Sequence, residues 1–80
     1  MSLATFTHGK GKPLVLLHGW GMNAGVWMPL LPRLEKSWQV ILVELPGHGE
    51  SESVEGDIDD WAQALLDVVP QGSVWLGWSL

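Results

Sequence analysis

The chain has 80 residues, 46% of them hydrophobic, and a formal net charge of -5 from nine acidic and four basic side chains. That apolar content excludes a disordered tail, and four basic residues are too few to neutralise a nucleic-acid backbone. Cysteine is absent, which excludes disulfides, thiolate metal sites and a cysteine nucleophile and fits an intracellular protein.

The opening residues Met1 to His8 lack a basic segment followed by an apolar stretch, and no apolar run approaches the ~18 residues of a membrane span. A soluble, cytoplasmic protein is the expectation. A strand around Leu3 to Thr7 is expected at a sheet edge, with Gly9-Lys10-Gly11-Lys12 as its turn. Three short apolar runs follow, Leu14 to Leu17, Val40 to Val43 and Val74 to Leu76. Their apolarity is continuous rather than alternating, as in strands covered on both faces.

The segments between these runs are long enough for helices. In the first, Asn23 is a cap for a helix that carries Val26, Trp27, Leu30, Leu31 and Leu34 on one side and ends near Lys36; Pro29 and Pro32 make its first half irregular. In the second, Asp57 caps a helix over Ile58 to Val69 with Ile58, Trp61, Leu65 and Val68 or Val69 facing inward, and Pro70 stops it. Strand, helix, strand, helix, strand implies right-handed crossovers and a mostly parallel sheet with helices on its faces, an α/β fold. Six tryptophans without a tyrosine suit a core or large apolar pockets with few phenolic hydrogen bonds.

In such sheets ligands bind beyond the C-terminal strand ends. Those ends here are His18-Gly19-Trp20-Gly21, Glu44-Leu45-Pro46-Gly47-His48-Gly49-Glu50-Ser51 and Gly77-Trp78-Ser79-Leu80, each bearing glycine. Gly-x-Ser directly after a buried strand begins a nucleophile elbow, the sharp strand-to-helix turn that exposes a serine oxygen. Alone the tripeptide is weak, since at roughly 7% usage of each residue it arises by chance once in every couple of chains of this length. The other two strand ends carry the weight.

Leu-Val-Leu-Leu-His-Gly-Trp-Gly, Val-Glu-Leu-Pro-Gly-His-Gly-Glu-Ser and Val-Trp-Leu-Gly-Trp-Ser-Leu together resemble the α/β-hydrolase superfamily over essentially the whole chain. Within it, His-Gly-Trp-Gly with Trp-Leu-Gly-Trp-Ser-Leu is similar to the family of pimeloyl-[acyl-carrier protein] methyl ester carboxylesterases of biotin synthesis. The resemblance implies Ser79 as nucleophile and the backbone N–H groups of Trp20 and Leu80 as oxyanion donors, with the Trp20 indole walling the acyl pocket and His18 and Gly19 in the supporting loop. It implies no metal or organic cofactor, and an ester substrate carried on an acyl carrier protein, whose acidity calls for a basic docking surface that this acidic segment does not supply.

The resemblance makes residues 1–80 the N-terminal segment of a single α/β-hydrolase domain, ending at the nucleophile elbow, with the triad acid and histidine following the serine in chain order. Both are then expected beyond Leu80, and the isolated segment is expected to be inactive. One departure is Glu44, where the superfamily usually carries Asp before Leu-Pro-Gly; that carboxylate orders its own loop. His8, His18 and His48 are the chain's histidines, and the resemblance assigns none of them the role of base.

Two other readings use the same residues. Gly19-x-Gly21-x-x-Ala24 after a strand, with Glu44 at the end of the next, outlines a dinucleotide-binding fingerprint in which Glu44 would bind ribose hydroxyls. It leaves Pro46-Gly47-x-Gly49 and Gly77-x-Ser79 without a task. A non-catalytic, hydrolase-like module acting by association is the other.

Overall fold

The computed structural model describes residues 3–77. Its four strands are β1 (Thr5–His8), β2 (Lys12–Leu17), β3 (Trp38–Val43) and β4 (Val74–Gly77), in the sheet order β1-β3-β2-β4. β2 pairs in parallel with both β3 and β4, while β1 runs antiparallel to β3 at the sheet edge. The Gly9 to Gly11 turn therefore does not close a hairpin: β1 and β2 are consecutive in the chain, but β3 lies between them.

The two crossovers run in opposite directions along the sheet. From β2 the chain moves to β3 through a 3-10 turn (Ala24–Trp27) and the short α1 (Leu31–Leu34); from β3 it returns past β2 to β4 through α2 (Ile58–Leu66). Right-handed crossovers of opposite direction place their helices on opposite faces. The core divides accordingly. Leu14, Leu16, Val40 and Leu42 pack under Ala24, Trp27 and Leu31, while Val15, Ile41 and Val43 pack with Leu3 and the Ala64, Leu65 and Val68 side of α2. β2 and β3 are apolar at every central position because both of their faces are covered.

β4 departs from that expectation. Val74, Trp75 and Leu76 are 38 to 45% exposed, because no described element lies over β4 and no described strand pairs with its outer edge.

Both helical segments form where the sequence puts them, with corrections. Asn23 caps the first, accepting from the Gly25 N–H at 2.8 Å. The prolines, which lack an N–H to continue an α-helical ladder, break it into a 3-10 turn and one α turn. The change of pitch moves Leu30 off the inward side, and it is 46% exposed. Asp57 caps α2 through a reciprocal box with Asp60. The helix ends at Leu66 rather than Val69, with Asp67 as its C-cap and Pro70 disfavouring any α conformation at Val69. Val68 and Val69 follow as a turn that still packs against the sheet. Ile58, expected inward, is 75% exposed: as the first residue of α2 it overhangs the core at the C-terminal edge of the sheet.

Candidate active site

The register aligns the ends of the parallel strands. Leu17 lies opposite Val43 on one side and Gly77 on the other, so the C-terminal ends of all three strands stand at one level. With ~4.8 Å between neighbouring strands, those ends fall within ~10 Å of one another. Trp78, Ser79 and Leu80, and with them the expected nucleophile and the second oxyanion donor, lie outside the described residues.

The loop after β2 is a tight turn. The Met22 N–H donates to the Gly19 carbonyl at 3.1 Å, and Gly21 has φ +79 whereas Trp20 does not have a positive φ. Those angles define a type II turn with Trp20 and Gly21 at its centre, the arrangement that selects glycine in third place. The Trp20 N–H donates to no described residue, and its indole is 66% exposed. Trp20 is not a core aromatic.

Side chains lace this loop to the one after β3. His18, 2% exposed, accepts the Leu45 N–H at Nε2 (3.0 Å), and His48 accepts the Gly21 N–H at Nε2 (2.9 Å). A backbone N–H only donates, so in each ring Nε2 holds the lone pair and Nδ1 the proton. His18 Nδ1 donates to the Gly19 carbonyl at 2.8 Å and His48 Nδ1 to the Pro46 carbonyl at 3.0 Å. Every ring nitrogen of the two histidines is engaged, which leaves neither with a lone pair for general-base work. His8 lies opposite Val40, three residues back from the strand end and so ~10 Å from it.

Glu44 is the third lace. It is 5% exposed, and its two carboxylate oxygens accept the Ala24 N–H at 3.0 Å and the Glu50 N–H at 2.8 Å. It thus orders its own loop, as the sequence suggests, and also holds the first residue of the 3-10 turn in the other crossover. The longer side chain in place of Asp reaches both donors. Gly49, at φ +51, is packed so closely on this carboxyl that a Cβ there would collide with it. Ser51 completes the loop, donating from Oγ to the Glu44 carbonyl and accepting the Ala4 N–H at 2.8 Å. The dinucleotide reading fails here: the Glu44 carboxylate is buried at 5% exposure and turned to backbone donors rather than to a ribose site, and the segment after Gly21 is a 3-10 turn rather than a phosphate-binding helix.

The site's apolar side is a cleft of about 470 Å3 lined by Leu17, Trp20, Leu45, Ile58, Trp61 and Leu65. Trp20 stacks on Trp61 with ring centroids 6.0 Å apart and 15° between planes, and meets His48 edge-on at 5.0 Å. Trp61 is itself fixed by its Nε1–H, which donates to the Val54 carbonyl at 3.2 Å. Sequence reasoning placed Trp61 on the inward face of α2 but missed its stack with Trp20, and gave His48 no task. The only signal for either was that both loops exit at the same end of the sheet.

A doubly wound sheet whose strand ends bring together a His-Gly-Trp-Gly turn and a carboxylate-laced Pro-Gly-His-Gly loop, with Gly77 of a Gly-x-Ser sequence ending the neighbouring strand, defines an α/β hydrolase. The chain matches the alpha/beta hydrolase family over residues 14–80 and belongs to it. It is 51% identical over 75 residues to a pimeloyl-[acyl-carrier protein] methyl ester esterase of Photobacterium profundum, covering 92% of this chain and 30% of that one, and 46% identical over 72 residues to the enzyme of the same name from Shewanella woodyi, covering 90% and 28%. Among solved structures, E-2-(acetamidomethylene)succinate hydrolase superposes with a TM-score of 0.80 at 28% identity, over 94% of this chain and 30% of that one. The chain therefore spans about 30% of the length of the curated relatives it matches. No helix among the described residues is long and apolar enough to cross a membrane.

Proposed function

We propose that this chain supplies the nucleophile and the oxyanion donors of a serine carboxylesterase that cleaves the methyl ester of a pimeloyl group carried on an acyl carrier protein. The observation that supports this reading is the common level of Leu17, Val43 and Gly77, beside a Trp20 N–H that donates to no described residue, with Ser79 two residues after Gly77 in the sequence. The substrate rests on the relatives' names.

In the reaction Ser79 Oγ attacks the ester carbonyl, and the negative charge that develops on the carbonyl oxygen is held by the N–H groups of Trp20 and Leu80. Each such donor is worth roughly 3–4 kcal/mol of transition-state stabilisation. Methanol leaves, and water releases the acyl group from the serine. The engaged nitrogens of His18 and His48 fit a base that comes from another part of the protein, after the serine in chain order.

The test is methanol release from a pimeloyl-carrier methyl ester by the complete protein and by residues 1–80 alone. The complete protein is expected to turn over and the 80-residue chain to be inert. Turnover by residues 1–80 that survives Ser79→Ala would overturn both the nucleophile and the division of the site.

A further inference from the structure

We infer that His48 is a positioning residue for the oxyanion loop, selecting one of two peptide orientations open to the Trp20–Gly21 turn; this rests on the reading of the Trp20 N–H as an oxyanion donor. Turns of type I and type II differ mainly by a flip of their central peptide. Here that peptide joins Trp20 to Gly21. Glycine in third place admits both forms because it adopts φ of either sign. An added Cβ at Gly21 would meet nothing within 4 Å, so it is the positive φ of the type II form, not lack of space, that calls for glycine here.

His48 chooses between the two forms. Its Nε2 accepts the Gly21 N–H at 2.9 Å, and a flip would replace that donor with the Trp20 carbonyl, setting an oxygen against a ring lone pair. The proton on the other ring nitrogen is committed to Pro46 at 3.0 Å, so the acceptor face of the ring is fixed toward the turn. The ring itself is wedged between the His18 ring, at 5.2 Å, and the Trp20 indole, at 5.0 Å. The loop after β3 thereby dictates the dipole arrangement directly beside the Trp20 N–H.

The experiment uses the complete protein and a p-nitrophenyl ester, comparing His48→Ala, His48→Phe and His48→Gln. Gln carries its Oε1 at the same bond count from Cβ as the histidine Nε2, so it can accept the same N–H. Loosening an oxyanion donor without deleting it is expected to lower kcat by about 10- to 100-fold, short of the 10²–10³ of outright removal. Ala and Phe are expected to show that loss with KM changed less than about twofold, and Gln to recover most of it. Phe retains the ring's packing, so a purely structural role predicts Phe near wild type and Gln impaired, which would overturn the proposal, as would kcat within twofold for both Ala and Phe. Ser79→Ala is run alongside. If it retains hydrolysis, the esterase reading itself falls; if it is inert while Ala and Phe at position 48 are unimpaired, only the role of His48 falls.

Discussion

Replacing Gly49 by Ala should be among the costliest single-methyl additions in this chain, and the reason lies at Glu44. Gly49 is at φ +51, where an L side chain costs about 1–2 kcal/mol. Its new Cβ also displaces the Glu44 carboxyl, which holds the Ala24 and Glu50 N–H groups. Each of those charge-assisted bonds is worth about 1.5–3 kcal/mol, so the variant should lose roughly 4–8 kcal/mol in all. Glu44→Ala removes the same two bonds and should cost about 3–6 kcal/mol. The double variant loses them only once and gives the new methyl the space the carboxyl vacated. It should therefore be more stable than the sum of the single effects by at least about 3 kcal/mol, well beyond the ~0.5 kcal/mol expected of independent sites. Urea titration of the complete protein, followed by tryptophan fluorescence, measures all three. Additivity within ~0.5 kcal/mol would refute the claim that Gly49 is glycine because of the Glu44 carboxyl.

Two further substitutions probe α2. Asp57→Ala removes the side-chain acceptor for the Asp59 and Asp60 N–H groups and should cost about 1 kcal/mol, read as a lower thermal midpoint, with Asp57→Asn retaining most of it. Trp61→Ala removes the Val54 hydrogen bond and the platform under Trp20; for a half-buried indole the loss should be about 2 kcal/mol, below the 3–5 of a fully buried one, and stability unchanged in denaturant titration would contradict the packing described.

The strands and their order in the chain were legible because β2 and β3 are covered on both faces, which leaves continuous apolar runs. The start of α2 was legible because Asp57 satisfies backbone donors locally, and its end was constrained by Pro70. What was not legible is non-local. Nothing in residues 3–12 says that β1 skips its neighbour to pair with β3. Leu30 and Ile58 were misplaced because a 100° repeat takes no account of a 3-10 stretch or of a helix that overruns its sheet. In the site, the glycine-bearing strand ends announced a reaction edge, and Glu44 announced an ordering role. The tie between Gly21 and His48 crosses 27 residues and depends on two loops meeting in space, so no local pattern encodes it.

The central claim is that Ser79 is the nucleophile of an esterase whose oxyanion loop is the Gly19 to Met22 turn. It is tested most directly by treating the complete protein with a fluorophosphonate and mapping the adduct by mass spectrometry. The account predicts a single adduct on Ser79, formed in parallel with loss of ester hydrolysis, and neither labelling nor turnover in Ser79→Ala. Labelling at another residue, or hydrolysis that persists in Ser79→Ala, would contradict it.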